Sequence, residues 1–224
     1  MAKRPPIATA ARPCVLVLRI AVDESSVRLM RGIRRYADMA GWTLLRIDYR
    51  DILDGLVDLW RPVGLLADAG LSAETLSEVP RLNGIPVVFC DSSPDAVGAG
   101  QAPSAYVSSD AEAVAGAAFD ELVRQGFGHF AYVPFVADPC RAWSVRRGDV
   151  FARRARAHGA TFSRFSVPTT TAAQRMRALR TWLTALPRPC GVFAANDVVS
   201  ECVRSICLAE GIGIPEEIAL VGVD

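Results

Sequence analysis

The 224-residue sequence has little of what catalysis, metal binding or membrane insertion requires. It contains two histidines, His129 and His158, and neither stands at metal-ligand spacing with another suitable side chain. The six cysteines, Cys14, Cys90, Cys140, Cys190, Cys202 and Cys207, are scattered without a CxxC pair, and several fall in or beside apolar runs. That usage fits small buried hydrophobes in a reducing cytosol rather than disulfides or zinc ligands. No apolar run reaches the roughly 20 residues of a membrane span. One-signed charge is missing too: 25 basic and 24 acidic residues leave a net +1, so no general field draws the chain to nucleic acid or an anionic membrane.

Catalytic motifs are equally scarce. There is no GxxxxGK[ST] and no GxSxG. "GFGHFA", Gly126 to Ala131, matches G-x-G-x-x-A in letters but precedes a strand, whereas the dinucleotide fingerprint follows one, so it reads as a turn. No nucleophile stands beside an evident base. The sequence is therefore read as a non-enzyme, with no catalytic residues, cofactor or metal.

What is present is a 51% hydrophobic, 22% charged composition, that of a globular chain. The opening "MAKRPPIATAARPCVLVLRIAV" has no small-residue cleavage pattern and reads as a loose leader, residues 1–12, running into a strand. Short apolar runs then alternate with stretches of helical period: "CVLVLRIA", a helix from Ser25 to Ala40, "WTLLRID", a short helix to Trp60, "VGLLAD", "AETLSEV" as a helix, and "IPVVFCD". After a Gly/Pro/Ser/Ala-rich loop from Ser92 to Ala105 the alternation resumes. "YVSSD", a helix from Asp110 to Arg124, "HFAYVPF", a helix from Arg141 to His158, "FSRFSVP", a helix through Trp182, "CGVFAA", a helix after Asn196 and "IALVGVD" follow.

Near-continuous apolar strands separated by helices predict parallel sheets covered on both faces. The expectation is an α/β fold of two lobes, residues 13–106 and 107–224, with a cleft between them. In such sheets ligands meet the carboxyl ends of the strands. Asn196, Asp197 and Asp224 all fall at such ends, and Asp91 with Ser92 ends a strand of the first lobe. Asp23, Glu24, Ser25 and Ser26 follow the first strand, with helix capping the default for the serines.

"CGVFAANDVVSECVRSICLAEGIGIPEEIALVGVD" places a strand ending in Asn-Asp, a helix, a Gly-x-x-Ile-Pro-Glu turn and a strand ending Val-Gly-x-Asp in fixed order. It resembles the effector domain of the LacI/GalR regulators and the periplasmic sugar-binding proteins, and "VSSDAEAVAGAAFDELVRQGFGHFAYV" and "IPVVFCD" are similar to earlier family segments. "RAWSVRRGDVFAR" and "DLWRPVGLLAD" resemble the xylose-operon regulators of this family. In that subgroup the sensing domain comes first and an AraC-type pair of helix-turn-helix units follows. A LacI-type headpiece of several dozen residues does not precede the first strand here.

The resemblance implies a periplasmic-binding-protein-like (type I) fold, with Arg147, Asn196, Asp197 and Asp224 lining the cleft. Carboxylates and amides accept and donate to sugar hydroxyls, and arginine adds a planar fork of donors. Each residue has a plainer reading. Asp197 serves equally as an N-cap, and the roles can coexist; Asp110 heads a helix and is read first as a cap. Arg147 lies among Arg141, Arg146, Arg153 and Arg154, a run that ordinarily marks a solvated face. Trp143 could stack on a sugar ring or belong to the core.

The functional expectation is a cytoplasmic, sugar-sensing, homodimeric transcription regulator that closes on a xylose-like monosaccharide and binds operator DNA through an AraC-type domain. Family members continue past Val-Gly-x-Asp, so this stretch is expected to be an incomplete effector domain. A solute-binding protein would need a secretion signal, and a Rossmann-like enzyme a phosphate-binding loop after a strand; neither is visible.

Overall fold

Residues 12–18, 24–48, 51, 56–68, 84–90, 104–137 and 141–223 are described by a computed structural model of the chain. Two compact units, divided between Val107 and Ser108, each hold one parallel sheet.

In the first unit the apolar runs become β1 (Cys14–Leu18), β2 (Thr43–Ile47), β3 (Gly64–Asp68), β4 (Val87–Cys90) and β5 (Ser104–Val107), in the order β2-β1-β3-β4-β5 with every pairing parallel. All five residues of β1 are buried, as expected of a central strand covered on both faces. Helices α1 (Glu24–Ala40) and α2 (Leu56–Trp60) belong to this unit. The sequence reading let Tyr106 and Val107 open the second alternation. Instead, Tyr106 pairs with Phe89 and Val107 with Cys90, so β5 closes the first sheet. An aromatic pair supports this pairing: Phe89 and Tyr106 stack with ring centroids 5.4 Å apart. The helix expected at "AETLSEV" lies outside the described residues.

In the second unit β6 (His129–Val133), β7 (Thr161–Arg164), β8 (Cys190–Ala194) and β9 (Ile218–Val221) are ordered β7-β6-β8-β9, again all parallel. They alternate with α3 (Ala111–Arg124), α4 (Ala142–Ala157), α5 (Ala172–Thr184) and α6 (Asp197–Ala209). The step from β6 to β7 runs one way across the sheet and the later steps the other. Right-handed crossovers therefore put α4 on one face and α5 and α6 on the opposite one. Helix α3 joins α4, with Arg154 Nη1 3.1 Å from Asp120 Oδ1. On the other face Met176 Sδ of α5 lies 3.4 Å from Cys202 Sγ of α6.

The core of the second unit is aromatic. Phe151, fully buried, packs its ring against those of Phe119, Phe130, Phe162 and Phe193 at 5.2–6.3 Å. Each such side chain contributes roughly 1.5–3 kcal/mol of burial. Gly148 lets α4 lie close on the sheet, because a Cβ there would sit 2.4 Å from Tyr132 Cε1. Cys14, Cys90, Cys190 and Cys207 are buried thiols, as their apolar neighbours foretold; Cys140 lies outside the described residues.

Candidate functional site at the carboxyl ends of the second sheet

The order β7-β6-β8-β9 reverses direction between β6 and β8, and the crevice beyond such a switch point is where open α/β sheets receive ligands. Three strand exits are fixed here by backbone bonds. The Ala195 amide donates to Val133 O at 2.9 Å, and the Asp197 amide to Val223 O at 3.2 Å.

The polar pair at the end of β8 divides its labour. Asn196, extended at φ −157°, caps α6: its Oδ1 accepts from the Val199 amide at 3.1 Å. The cap considered for Asp197 therefore belongs to its neighbour. Asp197 is the first helical residue and is exposed, its carboxylate favoured by the positive end of α6. The chain leaving β9 passes so close that a Cβ on Gly222 would lie 2.3 Å from Asp197 Oδ1. Asp110 caps α3 by accepting from the Ala113 amide at 3.0 Å, as its plainer reading expected.

Arg147 is the main departure from the plainer reading. It is not on a solvated face: it is 8% exposed and one of two buried polar side chains among the described residues, the other being Ser144. Its Nη1 donates to Ala195 O at 2.6 Å, and its Nη2 to Ser109 Oγ at 3.1 Å. Its Cζ sits 4.9 Å over the Trp143 ring, whose other neighbour is Phe135 at 5.5 Å. Trp143 is half-buried and packs on the core.

The site thus joins Arg147 and Trp143 directly. Through Ala195 and Ser109 it brings Arg147 beside Asn196 and Asp110, with Asp197 one residue further. Asp224 and Asp91 lie outside the described residues, as does the side chain of Ser25 in the first turn of α1. Ser109 and Ser144 were missed. Helical phase could have found Ser144, since 144, 147, 148, 151 and 155 share one face of α4 and all are buried.

Beneath the site, the buried Tyr132 hydroxyl donates to Ser144 O at 2.6 Å. Burial pushes this phenol up to about 12, against the lesser pull of the Ser144 bond and of Arg147 and Arg164, so it stays a neutral donor. An open groove of about 430 Å³ adjoins the site through Ser109 and Asp110 and continues along Glu112, Arg146, Asp149 and Arg153. Among the described residues no group of three His, Cys, Asp or Glu side chains is placed to hold a metal, and no helix is long and apolar enough to cross a membrane. A guanidinium, an amide and a carboxylate at one set of strand ends can hydrogen-bond a polyhydroxylated ligand.

Two parallel-sheet lobes with this strand order define an α/β fold of the periplasmic-binding-protein-like (type I) class, and residues 119–224 match the periplasmic binding protein-like domain family. Among individual proteins, the chain is 25% identical over 122 residues to the xylose operon regulatory protein of Haemophilus influenzae, a match covering 53% of this chain and 32% of that protein. The structure of the xylose-binding transcription activator xylR superimposes with a TM-score of 0.75 at 20% identity, covering 96% of this chain and 55% of that one. A LacI family transcriptional regulator from Mycobacterium smegmatis gives 0.71 at 21% identity, covering 93% and 77%. The chain thus spans about a third to a half of the length of the xylose-regulator relatives it matches.

Proposed function

We propose that this chain is the sugar-sensing effector domain of a transcription regulator, with a xylose-like monosaccharide as its ligand. The observation that carries the reading is Arg147. A guanidinium is buried at the carboxyl end of β8, stacked on Trp143 and bonded to the carbonyl of Ala195, the residue that precedes Asn196 and Asp197. Burying such a charge is costly. A site that recognises hydroxyls gives it a use, because Arg147 offers donors where Asn196 and Asp197 supply donors and acceptors. The names of the xylose operon regulatory protein and of the xylose-binding activator support xylose as the first ligand to try. Asp224, Asp91 and Ser25 are proposed as further contacts. The ligand biases an equilibrium between two arrangements of the protein, and these present attached DNA-binding units, of AraC type and in a cytoplasmic homodimer, differently to operator DNA.

The test is thermal unfolding of the purified chain with D-xylose, L-arabinose, D-ribose and D-glucose. A sugar at a hundred times its Kd adds about 2.7 kcal/mol, which raises the midpoint of a chain of this size by roughly 5–10 °C. Arg147→Met should abolish the shift while leaving the unliganded midpoint within about 3 °C, since an apolar side chain of similar length replaces a buried charge. A midpoint that no sugar moves would sink the reading.

A further inference from the structure

Helices α3, α5 and α6 each begin on a side chain that accepts a bond from the first turn: Asp110, Thr171 and Asn196. Helix α4, which carries both Trp143 and Arg147, begins on Arg141, with no side-chain capping bond. An arginine has no acceptor to offer, so that end must be held in another way. The holding contacts come from the side. Ser144, fully buried in the first turn of α4, accepts at Oγ from the Phe135 amide at 2.9 Å. Its carbonyl accepts from the Tyr132 hydroxyl at 2.6 Å, and that hydroxyl lies 3.2 Å from Ser144 Oγ. Tyr132 belongs to β6, and Phe135 to the segment leaving it.

We propose that Tyr132 and Ser144 are positioning residues for Arg147: they lock the first turn of α4 to the exit of β6 and so set where the guanidinium lies against Trp143 and Ala195. Three features support the assignment. First, Trp143 precedes Ser144 and packs on Phe135, so the ring beneath the guanidinium is anchored to the residue whose amide Ser144 binds. Second, Arg147 lies one turn beyond Ser144 on the same buried face. Third, Gly148 presses against the Tyr132 ring, which leaves the phenol no freedom to swing away. The role of Trp143 follows: the face of its ring that meets Arg147 is already occupied, so the tryptophan acts as a platform for the arginine. The ligand part of this inference rests on the sensing function proposed above.

The test compares Tyr132→Phe and Ser144→Ala with the parent chain in two ways. Tyr132→Phe removes a single oxygen and keeps the ring that packs on Phe193, so folding is retained if Ser144→Ala proves too disruptive. Without ligand, the Arg147 Nε–H resonance, assigned by its loss in Arg147→Met, reports the ring current of Trp143. It should move toward the position of solvent-exposed arginines in Tyr132→Phe, while the Val199 amide under the Asn196 cap stays in place. An unmoved Arg147 resonance overturns the proposal. With D-xylose, Tyr132→Phe should weaken binding about five- to tenfold, the scale of one displaced hydrogen bond. In an Arg147→Lys background the same substitution should add no further loss, because both act through one group. Fully additive losses also overturn it. If the parent chain binds no sugar, the sensing function fails, and the resonance alone decides the positioning role.

Discussion

Gly148→Ala is the substitution whose outcome the packing of α4 constrains most tightly. A helical glycine replaced by alanine ordinarily gains about 0.5–1 kcal/mol, because the unfolded chain loses freedom and the helix gains propensity. At Gly148 the new methyl would stand 2.4 Å from Tyr132 Cε1, 2.7 Å from Cδ1 and 3.0 Å from Arg164 Nη2. The arginine end can yield, but the phenol cannot: it is buried, its hydroxyl is bonded to Ser144 and its ring lies 5.4 Å from that of Phe193. Relief therefore requires α4 to lift from β6, at the upper end of the roughly 1–3 kcal/mol that overpacking costs. The net expectation is a loss of about 2 kcal/mol, or roughly 4–8 °C in Tm for a chain of this size. Gly32→Ala on α1 is the matched control. Nothing lies within 4 Å of its added methyl, so the same chemical change there should stabilise by about 0.5–1 kcal/mol. Paired thermal and urea melts measure both. A Gly148→Ala variant as stable as the parent would refute the close fit of α4 on Tyr132.

Three further outcomes are expected. Phe151→Ala removes a fully buried ring that touches four others and should cost about 3–5 kcal/mol in urea melts; a loss under about 1 kcal/mol would contradict the aromatic core. Tyr132 titrates in the unfolded chain near 10.0 and in the fold at about 12, so between those values the folded state keeps a proton that the unfolded chain has released. Its contribution is complete below about pH 10 and declines above it by up to about 1.4 kcal/mol per pH unit, and Tyr132→Phe should flatten that decline in urea midpoints taken from pH 8 to 11. Asn196→Ala should cost about 1 kcal/mol through the lost cap of α6, whereas Asn196→Asp keeps an acceptor and should melt within about 1 °C of the parent; equal losses in both would remove the capping role.

Much of this architecture was legible because it is written in local chemistry. Runs such as Cys14–Leu18 and Cys190–Ala194 are apolar at every position, and a strand buried on both faces needs nothing else. Asp110 stands where a cap must stand, one residue before a helical period begins, whereas the cap of α6 was read one residue late, at Asp197 instead of Asn196. What escaped depends on residues far apart in sequence or on phase within a helix. The burial of Arg147, a residue the family resemblance had already singled out, was hidden by the run of Arg141, Arg146, Arg153 and Arg154 around it, although its phase with Phe151 and Ala155 separates it from the exposed Arg146 and Arg153. Ser109 becomes a partner of Arg147 only once α4 is folded back on the start of α3. The last strand of the first sheet was divided from it because "YVSSD" runs straight into a helix, and nothing local says that Tyr106 will stack on Phe89.

Capping explains why a carboxamide ends a buried strand, and the sensing function proposed above would give Asn196 a second duty. The α6 helix leaves its first amides without internal partners, and the Asn196 Oδ1 takes one of them, that of Val199. An amide has a second end, and its two N–H donors are not needed for the cap. Capping therefore fixes the side chain in one orientation, one residue after Ala195, whose carbonyl already holds Arg147. On the sensing function proposed above, structure and recognition do not compete at this residue, because the helix start orients the group offered to a hydroxylated ligand. Asp197 follows the same logic, held by the Val223 carbonyl through its amide while its carboxylate remains exposed. Asn196→Asp separates the two duties, since it keeps the acceptor and deletes the donors. On the sensing function proposed here, D-xylose stabilisation should fall in that variant while the unliganded melt does not, and an undiminished sugar response would take Asn196 out of the binding site.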